Sequence, residues 1–383
     1  MKSTLLRLLA ISILLTSPAE ASYKIVAYFF GEGAEQRQYA VSDIPADKLT
    51  HLIYAFAGIE DGVAAWGRTG MDSATAQRLE QLQALRQRYP HLRTLLSIGG
   101  WTGSAHFSDV SLSETSRARF AASAVTLMRE GGFDGLDIDW EFPVAGGNAG
   151  NVERPVDKQN YTLLLRSLRQ ALDREGQRQR RHLLLTGATG ASQRWLDNTE
   201  MAAAAAELDW VNLMSYDFNG PWNAYAGHLA PLRHDPANRR ADASLLLNVE
   251  GALKLYRQAG VPAGKIVLGL PFYGYWWKAC QGDGLYQDCQ AKGDGDGALD
   301  YSRIEEQFIG KQGFVRRWSQ AAQVPYLFKA EGSEFISYED PQSVKAKLQL
   351  LRRLGLGGAM FWELSNDRRQ TLLRVVHDGL RRK

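Results

Sequence analysis

Cysteine and histidine are scarce in this 383-residue chain, with two of the first and seven of the second, and that scarcity removes whole classes of chemistry. Cys280 and Cys289 offer no disulfide framework, and their spacing matches no zinc pattern. In an oxidising compartment they read as a local disulfide, with two free thiols as the alternative. No histidine belongs to an H-E-x-x-H run or meets carboxylates at ligand spacing, so a metal enzyme lacks its ligands and no metal is expected. There is no G-x-S-x-G elbow, phosphate loop or dinucleotide fingerprint, and no cofactor is implied. Charge of either sign is in short excess: 45 basic residues face 42 acidic ones for a net +3, which indicates neither a nucleic-acid nor a membrane partner. Past the first 21 residues no apolar run is long enough to span a bilayer.

Those first residues carry Lys2 and Arg7, an apolar run from Leu8 to Leu15 broken only by Ser12, and a small-residue exit at Ala19, Glu20 and Ala21. This is the layout of a secretory signal and is too short for a membrane span. Residues 22–383 are therefore expected to act in a secreted or periplasmic setting, and as a monomer. With hydrophobic residues at 45% and ten tryptophans, they can bury a large core without staples.

Eight apolar stretches follow in the mature chain, at 24–30, 51–59, 93–100, 135–141, 183–190, 210–218, 266–274 and 357–364. Helical patterns lie between them at 74–89, 114–131, 157–175, 244–260 and 341–354, and 367–381 follows the last. Strands alternating with helices predict a parallel sheet, and eight repeats predict closure, an α/β fold of the (β/α)8 TIM barrel kind. The chain exceeds the roughly 250 residues of a plain barrel, so an insertion is expected. The interval 275–338 supplies it, being rich in Gly, Asp and Gln, then strand-like again, and too long for an ordinary loop. Within it 293–297 reads GDGDG, and Asp294, Asp296 and Glu305 occupy positions one, three and twelve of a calcium loop. Ala298 and Leu299 spoil positions five and six, which disfavours that reading.

The stretch 133–143, FDGLDIDWEFP, asks for the most explanation. Leu136, Ile138 and Trp140 alternate with Asp137, Asp139 and Glu141, so an extended strand puts three acids on one face, about 6.5 to 7 Å apart. A solvent-facing strand has this alternation too, but without Lys or Arg among the acids the like charges repel. Adjacent carboxylates do not readily ionise together, so one retains a proton near neutral pH and serves as a general acid, as glycoside cleavage requires. A cation site is the competing reading, weakened by the lack of His or Asn in the row. In a barrel the apolar parity faces the helices and the acids face inward, tolerable near the C-terminal mouth where Glu141 falls. Asp134 lies on the other parity and reads as a turn or cap residue.

Asp134, Asp137, Asp139 and Glu141, spaced D-x-x-D-x-D-x-E, resemble the signature of glycoside hydrolase family 18, the retaining chitinases. Ser97 to Trp101 (SIGGW), Met214 to Asp217 (MSYD) and Trp362 in GAMFWE resemble the family's third-, sixth- and eighth-strand motifs, so the resemblance spans nearly all of residues 22–383. It implies that the insertion at 275–338 is a small α+β subdomain between strand 7 and its helix, walling one side of a cleft. It implies cleavage of β-1,4 bonds between N-acetylglucosamine units in chitin, with Glu141 as acid, Asp139 orienting the substrate acetamide, Asp137 exchanging a proton with Asp139, and Tyr216 holding the acetamide oxygen. Flat tryptophans suit the C–H faces of sugars, which nominates Trp101, Trp222, Trp276, Trp277 and Trp362. Met214, Asp217, Tyr273, Tyr28 and Phe56 are further cleft candidates, with core packing the alternative for Tyr28, Phe56 and Tyr273. Two other functions stay open: an endo-β-N-acetylglucosaminidase acting on N-glycans or peptidoglycan, and a non-catalytic chitinase-like lectin.

Overall fold

The computed structural model describes residues 23–240, 244–291 and 298–381; the signal reading of residues 1–21, and Asp294 and Asp296 of the calcium reading, fall outside them. Eight parallel strands form the centre: β1 (Lys24–Phe30), β2 (His51–Glu60), β3 (Arg93–Gly99), β4 (Gly135–Asp139), β5 (Leu184–Gly190), β6 (Trp210–Met214), β7 (Ile266–Pro271) and β8 (Gly358–Trp362). Each pairs with its neighbours in chain order, and β1 pairs with both β2 and β8. The sheet is thus a closed barrel, the TIM fold that the alternation predicts. Helices Ser73–Arg88, Glu114–Glu130, Asp157–Gln179, Val249–Gln258, Pro341–Leu354 and Thr371–Arg381 accompany the strands. Local signals set their ends: Asp340 accepts from the amides of Gln342 and Ser343 just before Pro341, and Gly355 closes the same helix in the left-handed region.

Period-two alternation sorts the core into two clusters. Ile25, Ala27, Phe29, Leu136, Ile138, Trp140, Val211, Leu213, Ala359 and Phe361 belong to the one that packs strands against helices. Val26, Tyr28, Ile53, Leu95, Trp210, Val267 and Met360 belong to a second, inside the barrel. That inner cluster continues through Tyr273, Tyr275, Trp277, Tyr326, Phe328 and Phe335. These residues lie on or beside an antiparallel sheet built on Tyr273–Lys278, Glu334–Ser337, Val324–Lys329 and Val315–Ser319, with short strands Gln290–Ala291 and Ala298–Asp300 along one edge. Cys280 and Cys289 are joined by a disulfide. Barrel interior and second sheet therefore share one apolar body.

Several strands stop earlier than their apolar runs, β4, β6 and β7 among them. β4 ends at Asp139 because the amide of Glu141 is bonded by the Ser104 hydroxyl, 2.8 Å away, instead of by a neighbouring strand. β6 ends at Met214 because the Ser215 amide folds back onto the Leu213 carbonyl at 2.8 Å. β7 ends at Pro271, and the chain re-enters as the antiparallel strand Tyr273–Lys278. The helix expected from 244 starts at Val249, where Asn248 caps it through the Gly251 amide.

Asp134 departs from its turn-or-cap reading. Its side chain is sealed at the opening of β4, where it accepts from the Thr94 amide at 2.9 Å and from Arg86 through both oxygens at 2.9 Å. Arg181 also donates to it and Arg93 stands 3.5 Å away. Three guanidiniums on separate segments thus converge on one carboxylate, a tie across the N-terminal face of the barrel. Asp134→Asn leaves those cations facing one another and is expected to lower unfolding free energy in urea titrations by about 2–4 kcal/mol, somewhat below a fully buried pair because the arginines keep some water. Turnover by the folded variant is expected to be unchanged, and a loss of turnover at full folding would show that Asp134 acts beyond this tie.

Candidate active site

Asp137 sits on the barrel axis, inaccessible to solvent. Its Oδ2 accepts from the Tyr28 and Ser97 hydroxyls, both at 2.8 Å, and its Oδ1 from Thr186 at 2.6 Å and Asn212 Nδ2 at 3.1 Å. The four donors come from β1, β3, β5 and β6, and Ser97, Asp137 and Thr186 are register partners across adjacent strands. Burial pushes the Asp137 pKa up, opposed by the bonds from Thr186, Tyr28, Ser97 and Asn212; the net direction is upward. Those bonds favour the ionised form and absorb most of the acceptor capacity of a carboxylate.

Asp139 lies one inward position nearer the mouth and is also buried, yet its Oδ1 has no hydrogen-bond partner. Burial, then Glu141, then Asp137 hold its pKa well above the carboxylate range. Of the two inner acids, Asp139 is therefore the one that keeps a proton. Glu141, beyond the end of the ladder, is half-buried, and burial followed by the charge of Asp217 pushes its pKa up to about 8. At neutral pH it is an acid with a proton to give. The close approach of β3 to this segment requires glycine at 99, where a Cβ would stand 2.2 Å from the Asp139 carbonyl oxygen and φ is +115°.

Tyr216 is buried just past β6, within electrostatic reach of Asp217, Asp139 and Glu141; burial first and then these acids hold its phenol far above its usual pKa, so it remains a neutral donor. Asp217 adopts the left-handed backbone conformation, φ 58°, and accepts from the Tyr273 hydroxyl at 2.6 Å. Trp362 ends β8 stacked on Phe56, with ring centroids 5.6 Å apart, and on Phe30 at 6.0 Å, with Tyr28 beside it at 5.5 Å. Trp101 and Trp222 are exposed at 49% and 62%, which leaves broad apolar faces open to a ligand. Trp101 meets Phe142 edge-on, and Trp222 meets Tyr275. Met214 is half-buried beside the inner cluster.

The aromatic assignments need correction at three positions. Tyr28 is 2% exposed, with its hydroxyl engaged by Asp137, so it supports the acids from beneath. Trp277 is buried against Tyr275 and Phe335 in the second sheet, and Trp276 packs on Phe308 and Phe314. Neither indole is an open platform, because strand alternation turns one into each core cluster. Sequence reasoning missed Thr186 and Asn212, and named Ser97 only as part of a motif. Each is a polar residue at an inward position of an otherwise apolar strand, a signal legible once the barrel parity is assigned. It also missed Phe30, Ser104 and Asn151, of which the last two lie in loops with no periodicity to read. Among the described residues no group of His, Cys, Asp and Glu is arranged to hold a metal ion, and no helix is long and apolar enough to cross a membrane.

A rise in folded-state pKa has a sign for stability. Between about 4.5 and about 8 Glu141 is protonated in the folded protein and ionised in the unfolded chain, so stability is fullest below 4.5 and declines as pH climbs through that interval. Glu141→Gln removes this loss. Its melting temperature is expected to match the parent near pH 4.5 and to exceed it by a growing margin toward pH 8; parallel curves over that range would contradict the raised pKa.

Comparison with known proteins places this geometry in a family. The model of glycosyl hydrolases family 18 matches residues 24–367. Chitinase A1 of Niallia circulans is 42% identical over 93% of this chain and 58% of its own length, so the chain spans somewhat more than half of that relative. Chitinase ChiA74 from Bacillus thuringiensis superposes with a TM-score of 0.87 at 37% identity, covering 94% of this chain and 70% of that one. A family 18 N-acetylglucosaminidase from Paenibacillus barengoltzii gives 0.82 at 36% identity, over 94% of this chain and all of its own.

Proposed function

The chain belongs to family 18 of the glycosyl hydrolases, and from that premise we propose that it is a secreted chitinase that cleaves β-1,4 bonds between N-acetylglucosamine units with retention of configuration. The chitinases among its relatives support the substrate, and the layout of residues 1–21 supports secretion. The observation that carries the reaction is the gradient along the row: Asp137 held by four donors, Asp139 protonated without a partner on Oδ1, and Glu141 protonated at the mouth.

Glu141 gives its proton to the glycosidic oxygen as the bond to the anomeric carbon breaks, and the released sugar leaves as an alcohol. The carbonyl oxygen of the substrate's own 2-acetamido group attacks that carbon, forming a cyclic oxazolinium ion, the substrate-assisted route of this family. An internal nucleophile has the effective concentration of a unimolecular step, so no protein nucleophile is required. Asp139, with a free acceptor, takes the acetamide N–H and offsets the growing positive charge. Asp137 accepts the Asp139 proton as that happens, and because the acids interact they titrate as a set. The neutral Tyr216 phenol donates to the acetamide oxygen and aligns it. Water then opens the ion from the face the leaving group vacated, returning its proton to Glu141.

Glu141→Gln keeps the shape and removes the proton. It is expected to lower kcat on chitin hexamer about 10²–10⁴-fold, the usual worth of a general acid, while oligosaccharide binding persists. Asp139→Asn and Tyr216→Phe are expected to lower kcat far more than they raise KM. Anomer analysis of the first hexamer products should give the β form. Wild-type turnover by Glu141→Gln, or an α product, overturns the mechanism. Cleavage of a high-mannose glycoprotein with chitin oligomers left intact overturns the substrate.

A further inference from the structure

We infer that Ser104 and Asn151 are positioning residues that grip the Glu141 backbone from both sides and thereby set where its carboxyl reaches. The inference rests on the assignment of Glu141 as the acid. Beyond Asp139 the strand ladder no longer holds the chain, so the residue whose placement matters most stands outside regular structure. The Ser104 hydroxyl takes its place: it accepts from the Glu141 amide at 2.8 Å and its one proton is shared between the Gly100 carbonyl at 2.8 Å and the Asp139 carbonyl at 3.1 Å. On the other side, Asn151 Nδ2 donates to the Glu141 carbonyl at 2.8 Å. Amide and carbonyl of one residue are thus both fixed by side chains from different loops.

The outer half of this grip is itself anchored. Arg154, three residues on, donates to Ser108 at 2.7 Å and to Asp109 at 2.8 Å, and the sealed Asp157 accepts from Ser108 at 2.7 Å and from the Arg154 amide at 2.8 Å. These bonds tie the loop carrying Asn151 to the helix Phe107–Ser111, the element that follows Ser104. Gly147 makes room for the contact, since a Cβ there would sit 2.1 Å from the Glu141 oxygen and 2.4 Å from Asn151 Nδ2. Ser104 is almost wholly buried at 1% exposure, so its hydroxyl is withheld from water and committed to these backbone groups. A displacement of about 1 Å at a reacting group is enough to cost about 10²-fold in rate, which gives a two-sided grip a catalytic consequence beyond folding.

The test compares Ser104→Ala, Ser104→Thr and Asn151→Ala with the parent on chitin hexamer, using kcat, KM, the pH profile of kcat/KM and a melting curve for each. Ser104→Ala and Asn151→Ala are expected to lose about tenfold in kcat with KM within about twofold. The alkaline limb of their profiles should move to lower pH as the loosened carboxyl reaches more water. Ser104→Thr, which keeps the hydroxyl, should recover most of kcat. Folded alanine variants with parental kcat and an unmoved alkaline limb overturn the inference, as does a threonine variant no better than alanine. Glu141→Gln run alongside reports on the premise separately: if it stays active the acid assignment falls, whereas an inert Glu141→Gln beside parental Ser104→Ala and Asn151→Ala removes the grip alone.

Discussion

Asp137 is an ionisable group sealed on the axis of a barrel, and the four donors facing it make that position tolerable. An isolated carboxylate there would be neutralised or would unfold its surroundings, because desolvation of an unpaired charge costs several kcal/mol even after relaxation. Tyr28, Ser97, Thr186 and Asn212 replace the lost water from four different strands, so the carboxyl has its partners only when the barrel is closed. The four bonds offset part of the burial penalty at Asp137, whereas Asp139 next to it has burial, then Glu141, then Asp137 against its charge and holds a proton. Glu141 is then biased the same way by burial and by Asp217.

This arrangement trades stability for reactivity in a definite way. The raised pKa values along the acid row oppose folding at neutral pH, whereas the tie at Asp134 on the opposite face supports it. The two ends of β4 therefore do different work within one short strand. Conditions at its N-terminal end favour a paired carboxylate; those at its C-terminal end deprive one of partners. The continuous inner cluster stiffens the space between, since Trp362, Tyr28 and the second sheet all pack into it. A rigid floor of this kind lets small differences in carboxyl position persist as differences in rate.

Much of this is legible in the amino-acid sequence. The eight strands stand out because each is an apolar run of strand length bounded by polar, glycine-rich segments, and the row Asp137, Asp139, Glu141 stands out because three like charges on one parity have no cheap explanation. Asp134 escapes the rule that singles out the row: parity places it off the inward face, and parity is silent about arginines contributed by distant segments. Arg86 and Arg181 lie 48 and 47 residues away in the chain, with no spacing rule connecting them to it. The strand ends were overrun at β4 and β6 because apolar composition continues past the point where backbone partners run out. Trp276 and Trp277 show the converse limit. A side chain's type suggests a sugar platform, but only the position of its strand in the sheet decides whether the ring meets water.

The place where the ladder stops is also the place where chemistry becomes possible. Inside a closed barrel every backbone group is bonded to a neighbour, and a side chain there is fixed but also enclosed. Past the last rung, side chains reach the mouth, but their backbone loses its partners and with them its precision. The protein meets both demands by letting Ser104 and Asn151 act as surrogate neighbours for Glu141, so that the residue at the opening keeps strand-like restraint without strand-like burial. The argument runs from backbone accounting to function: an orphaned amide and carbonyl at a strand end must be satisfied, and satisfying them from two anchored loops fixes the third acid in line with the first two.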